Sequence, residues 1–132
     1  MFMDTTAMAS LWRLDLTPTA TAVLSLMVDE QAPGGAVHLS QDEMAKKLSI
    51  NRAHISKGMR MLVERGLVIR PNGGRGRRYA LNPAIAGYES EEDFVQTMTT
   101  LLAAGGPPPI VVPDYKTAPP RRTSTRGLRS VA

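Results

Sequence analysis

The chain has no cysteine among its 132 residues, which excludes disulfides and thiolate metal sites. Histidine is almost as scarce. His38 and His54 are the only two, so no histidine-built metal site is expected. No apolar run approaches the roughly 20 residues a membrane span needs. The N-terminus also lacks a basic region followed by an apolar stretch, so the protein is expected to be intracellular, without a membrane partner. The glycine run Gly73-Gly74-Arg75-Gly76 has no helix after it and does not read as a phosphate-cradling loop. No nucleophile, base and acid fall into a catalytic pattern, so neither an enzyme nor a cofactor is expected.

Charge is present, and it is segregated. Residues 1–39 carry one base and four acids, whereas residues 40–82 carry ten bases and three acids. Residues 83–112 have four acids and no base, and residues 113–132 have five bases and one acid. A net charge of +4 thus conceals a strongly cationic middle and a cationic end. Charge distributed in this way is the electrostatic footprint of a polyanion partner.

The cationic middle contains SQDEMAKKLSINRAHISKGMRML, residues 40–62. Ser40 and Glu43 have the spacing of a capping box, which predicts a helix start. Met44, Ala45 and Leu48 give that helix an apolar stripe, with Lys46 and Lys47 on its outer side. Leu48-Ser49-Ile50 breaks the pattern, and Asn51 can cap a second helix with apolar positions Ile55, Met59, Leu62 and Val63. Ala45 is expected where the two helices approach most closely, with Gly58 as a second small contact between them. Ile50 follows the turn and is expected to plug the angle between the helices. Two steeply crossing helices with a cationic second one describe a helix-turn-helix, which presents that second helix to the DNA major groove. Ser49 departs from the pattern, since a left-handed turn residue is usually Gly and another residue there costs about 1 kcal/mol.

The flanks extend this unit. Met1 to Ser10 is small and polar and is expected to fray. Leu11, Trp12, Leu14 and Leu16 suggest a short extended segment or a single turn, with Trp12 at a core or subunit boundary. Thr17-Pro18 opens a helix with Pro at its first position, and Ala20, Val23, Leu24 and Met27 form the buried face. Ala32-Pro33-Gly34-Gly35 ends it, and Ala36 to Leu39 is a short strand. Gly66 is placed to end the second motif helix in a left-handed conformation. Strands are then expected over 67–70 and 77–82 around a glycine-rich turn. A hairpin at this point is a wing, whose arginines Arg75 and Arg77 suit the backbone or the minor groove. Arg78 faces the other way and could pair with the acidic first helix. Ser90 caps a last helix with Glu91, Glu92 and Asp93 in its first turn. Its stripe of Phe94, Val95, Met98, Leu101 and Leu102 either packs back on the first helix or forms a dimer interface. The proline- and arginine-rich stretch from Pro107 cannot build a core and is expected to be disordered, with Arg121, Arg122, Arg126 and Arg129 available to phosphates.

Thr17 to about Pro83 resembles the winged helix-turn-helix domains of small bacterial regulators of the MarR type and of plasmid replication initiators of the RepL type. The carrying stretches are LTPTATAVLSLMV, LSQDEMAKKLSINRAHISKGMRMLVERGLVIR and RRYALNP, the last closer to the initiators. The expected fold is mainly α with a small β-hairpin: a three-helix core plus wing, with an extra C-terminal helix. The expected organisation is a flexible N-terminus over 1–10 and a winged domain over 11–88. A C-terminal helix over 89–106 is a candidate dimerisation element, and a Pro/Arg-rich tail spans 107–132. The expected activity is sequence-specific binding of double-stranded DNA by a cytoplasmic, nucleoid-associated homodimer. It would act as a transcription regulator or, alternatively, as a replication initiator or a winged-helix protein-interaction module. The candidate DNA-binding residues are Lys46, Lys47, Asn51, Arg52, Ala53, His54, Ser56, Lys57, Arg60, Arg75 and Arg77. Arg52 and Lys57 are placed as base readers and Arg60, Lys46 and Lys47 as phosphate contacts. Asn51 ranks below them because it caps the helix. His54 either touches DNA or lies half-buried.

Overall fold

A computed structural model describes residues 1–9, 11–70 and 78–112. In chain order the elements are β1 (Phe2–Met3), α1 (Thr5–Met8), a 3-10 turn (Leu11–Leu14), α2 (Pro18–Glu30), β2 (Ala36–Val37), α3 (Gln41–Leu48), α4 (Arg52–Glu64), β3 (Val68–Ile69), β4 (Tyr79–Leu81), β5 (Gly87–Tyr88) and α5 (Glu91–Ala103). Helices α2, α3 and α4 pack together on a three-stranded antiparallel sheet ordered β2-β4-β3. Ala80 lies opposite both Ala36 and Ile69, which makes β4 the centre of the sheet. This is a winged helix-turn-helix, mainly helical with a small hairpin, a short helix before its three-helix core and a longer one, α5, after the hairpin.

Local chemistry sets most of the boundaries. Thr17 Oγ1 accepts from the Ala20 N–H at 3.1 Å, and Pro18 occupies the first helical position, where its missing N–H costs nothing. The Ser40–Glu43 capping box closes in both directions, at 3.1 and 2.9 Å, and satisfies two orphan donors of α3. Asn51 Oδ1 caps α4 through the Ala53 N–H at 2.7 Å, and Ser90 Oγ caps α5 through the Asp93 N–H at 3.2 Å. Ser49 does adopt the left-handed conformation, at φ 54° and ψ 42°. The Ser49 N–H reaches Lys46 O at 3.4 Å and the Ile50 N–H reaches Ala45 O at 3.1 Å, the paired bonds of a Schellman turn. Gly66, at φ 77°, ends α4 the same way, with Leu67 N–H on Leu62 O at 3.0 Å.

The core draws one stripe from each element. Ala20, Val23, Leu24 and Met27 of α2 meet Met44 of α3 and Ile55, Met59 and Leu62 of α4, all essentially without exposure. Val37, Leu67, Val68, Leu81 and Ile85 close it from the sheet side. Burying each large side chain contributes roughly 1.5–3 kcal/mol. Gly58 makes its close contact with α2 rather than α3: a Cβ there would stand 3.3 Å from the Ala20 backbone. Val63 is not a core residue. It sits eight residues after Ile55, where 3.6 residues per turn has carried it to the stripe's edge, and it is 36% exposed.

Several expectations at the ends of the chain are corrected. In place of a frayed start, Phe2 and Met3 pair with Tyr88 and Gly87, and the Phe2 ring lies 5.5 Å from that of Phe94. Trp12 projects outward at 77% exposure, with the Arg13 guanidinium 5.1 Å from its ring, so of the two placements expected for it, core boundary or subunit boundary, the core boundary does not hold. Helix α5 packs against β1 and β5 through Phe94 rather than against α2, and none of its residues is fully buried. Residues 107–112 are not free of the domain. The Val111 N–H donates to Arg65 O at 2.8 Å, and Asn82 Nδ2 donates to both Pro108 O and Gly66 O, at 2.7 and 2.8 Å. This extended segment crosses the turn between α4 and β3. Residues 113–132, with the tail arginines, lie outside the described residues.

Candidate nucleic-acid interface

With Ile55, Gly58, Met59 and Leu62 turned inward, helical geometry turns Ala53, Lys57 and Arg60 of α4 outward, while Arg52, three residues before Ile55, is exposed because it begins the helix beside Asp42. All four are exposed, and Ser56 is half-buried on the side facing the hairpin. The cationic face expected from sequence is therefore formed by one helix whose opposite side is fixed in the core. Lys46 and Lys47 are exposed in the last turn of α3, where cations also complement the helix dipole. Asn51 is exposed, but its amide oxygen is engaged by the cap. His54 is exposed rather than half-buried. It borders a hollow with Thr17, Thr19 and Met61, on the flank of α4 nearest the start of α2. Arg75 and Arg77 lie outside the described residues, and Arg78 is exposed with no ion pair among them.

Two of the cations are held by acids in the free chain. Arg52 Nη1 lies 3.2 Å from Asp42 Oδ1, and Lys47 Nζ lies 3.6 Å from Glu30 Oε2. Both pairs are largely exposed, and pairs of this kind contribute about 0–1 kcal/mol and weaken with salt. A phosphate or a base edge can displace such an acid at little cost. Lys46, Lys57 and Arg60 make no ion pair among the described residues. Beside them, the Ser40 backbone N–H, and then the Ser40 hydroxyl, hold the Glu43 carboxyl below its ordinary value, so that acid stays ionised and bound to its own helix.

A second cluster was not visible in the sequence. Tyr79, 6% exposed at the start of β4, accepts from Gln41 Nε2 at 2.9 Å and from Arg70 Nη2 at 3.1 Å. The Arg70 guanidinium also lies 5.3 Å from the Tyr79 ring centre. Three elements thus meet at one hydroxyl: the first turn of α3, the end of β3 and the start of β4. They line a groove of about 310 Å³ between α4 and the base of the hairpin, together with Asp42, Arg52 and Ser56. It adjoins a second groove of about 280 Å³, bordered by Arg60 and Val63 and sharing Gln41, Ser56 and Arg70. The 38-residue separation of Gln41 from Tyr79 leaves no local signal by which the cluster could be found.

One solved structure resembles the chain: the S. aureus MepR–DNA complex, at 23% identity and a TM-score of 0.40, over 75% of this chain and 74% of that one. No family model and no curated protein matches. Among the described residues, no cluster of three or more His, Asp or Glu could hold a metal ion, and no helix is long and apolar enough to cross a membrane.

Proposed function

We propose that the chain binds double-stranded DNA sequence-specifically and acts as a bacterial transcription regulator. Helix α4 enters the major groove, and the hairpin that follows it reaches the backbone or the adjacent minor groove. The observation that carries this reading is the exposed face of α4. Lys57 and Arg60 stand on the side away from Ile55, Met59 and Leu62, and Arg52 is exposed at the helix start, within the helix, strand and hairpin order of a winged domain. Arg52 and Lys57 read base edges, Ala53 and Ser56 line the same surface, and Arg60, Lys46 and Lys47 hold phosphates. Arg75 and Arg77 lie between β3 and β4 in sequence, outside the described residues, and are proposed as contacts to the backbone or the minor groove on their chemistry alone.

Two copies bind together in this proposal. Val95 and Leu102 leave an apolar strip on α5, at 52% and 68% exposure, available to a second chain. A homodimer would then read paired half-sites about one helical turn apart.

The test compares binding of a selected duplex and a random duplex. Arg52→Ala is expected to cost about 1–3 kcal/mol on the selected sequence and to relax the preference for it. Equal losses on both duplexes would remove Arg52 from base reading. Bound genomic fragments should lie at promoters, and clustering in repeats at a replication origin would reassign the chain as an initiator.

A further inference from the structure

The Gln41–Arg70–Tyr79 cluster carries a second step, which rests on the DNA-binding reading above. A tyrosine hydroxyl offers two acceptor sites and one donor hydrogen. On Tyr79 both acceptor sites are taken, by Gln41 Nε2 and Arg70 Nη2. Its hydrogen has no acceptor among the described residues, although the side chain is almost wholly buried and borders the groove beside Asp42 and Arg52. The groove it borders is open to solvent, and there an oxygen of water or of a ligand can accept that hydrogen. Each of its two neighbours also has N–H groups to spare: Gln41 one more on Nε2, and Arg70 several on its guanidinium. Asp42, the one carboxylate among the described residues that line the groove, is already paired with Arg52. With Arg52 and Asp42 paired, the described lining carries one net positive charge, from Arg70, and several N–H and O–H donors, which suits an acceptor with one negative charge and several oxygens.

We propose that Tyr79, Arg70 and Gln41 form a binding site for a single backbone phosphodiester of duplex DNA. The placement follows from duplex geometry. The major and minor grooves are separated by a sugar–phosphate strand. If α4 occupies one groove and the hairpin the other, that strand must pass between them, over the groove in which the Tyr79 hydroxyl lies. The site would fix the position of the hairpin relative to α4 on the duplex and carry no sequence information itself.

The test uses the full chain, Tyr79→Phe and Arg70→Gln. Each is bound to a duplex selected by the wild-type chain, and to copies of it in which single phosphates are replaced one at a time by neutral methylphosphonates. With the wild-type chain, one phosphate position per bound chain should be sensitive, losing about tenfold in affinity, as for a hydrogen bond to a charged group. With Tyr79→Phe the intact duplex should bind more weakly by a similar factor, and neutralising that same phosphate should then cost little more. Arg70→Gln should lower the slope of log affinity against log salt by about one, while the uncharged Tyr79→Phe leaves it unchanged. Phenylalanine keeps the buried ring, and a thermal melt checks that the fold is retained. If the losses from Tyr79→Phe and from every methylphosphonate simply add, the hydroxyl is only a brace and the site is overturned. If the wild-type chain binds no duplex, the DNA reading falls and takes this site with it.

Discussion

Asn82 offers the sharpest test of how the domain is tied together. Its side chain is fully buried directly after β4 and serves three backbone groups. Nδ2 donates to Gly66 O at 2.8 Å and to Pro108 O at 2.7 Å, while Oδ1 accepts the Ala84 N–H at 2.9 Å. Asn82→Ala removes all three at once. Pro108 is exposed, so water can satisfy its carbonyl, but Gly66 O and the Ala84 N–H are left in part-buried surroundings. At about 1–3 kcal/mol for each unsatisfied group, the two together cost about 2–6 kcal/mol before relaxation. That is a large share of the 5–15 kcal/mol typical of a domain. Denaturant unfolding should show a lower midpoint at unchanged slope. A loss below about 1 kcal/mol would refute the assignment of Asn82 as the tie between hairpin, helix end and C-terminal segment. Asn82→Asp sharpens the point, because an ionised carboxylate only accepts and would face two carbonyl oxygens. Its folded pKa would be raised, so the variant should be least impaired at low pH and lose stability as pH rises through that value.

Two further outcomes concern the turn and the cap of α3. Ser49→Gly should stabilise the domain by up to about 1 kcal/mol in a thermal melt, since Ser49 sits at φ 54° and glycine adopts that conformation freely; destabilisation would mean the hydroxyl has a role that its geometry does not reveal. Ser40→Ala should cost about 1 kcal/mol by removing the capping box. The Glu43 half of that box is pH-dependent with a definite sign. Its folded pKa lies below the ordinary 4.5, so its contribution is complete above that value and is lost as pH falls through the folded one. Melts on the acid side should therefore show the gap between wild type and a Glu43→Gln variant narrowing.

The legible parts of the fold were those with local causes. Thr17-Pro18, Ser40–Glu43, Asn51, Ser90 and Gly66 each fix a boundary through groups within a few residues, and all five act as their chemistry predicts. The outward placement of Lys57 and Arg60 on α4 was legible for the same reason, because helical period separates them from Ile55, Met59 and Leu62, whereas Arg52 is exposed through its place at the helix start. Contacts across long separations were not. The pairing of Phe2 with Tyr88 joins two-residue strands that carry no periodic signal. The hydrogen bonds that dock 107–112 use, on the segment's own side, only the Pro108 carbonyl and the Val111 N–H, groups of a kind every sequence has, so its proline-rich composition pointed only to disorder. Gly58 was read as a small contact, but composition could not say that its partner is Ala20 on α2 rather than α3. Gln41, Arg70 and Tyr79 look like ordinary polar and aromatic residues until three elements bring them to one hydroxyl.

The central claim is that the outward face of α4 is a DNA-reading surface, and the affinity of the full chain for duplex DNA as salt is raised tests it most directly. The prediction is binding to selected and random duplexes alike, with log affinity falling steeply and linearly against log salt at about 0.9 per phosphate held. The selected duplex should stay preferred throughout, and Arg52→Ala should erase much of that preference. Absence of binding at low salt, or binding indifferent to salt, would contradict the claim.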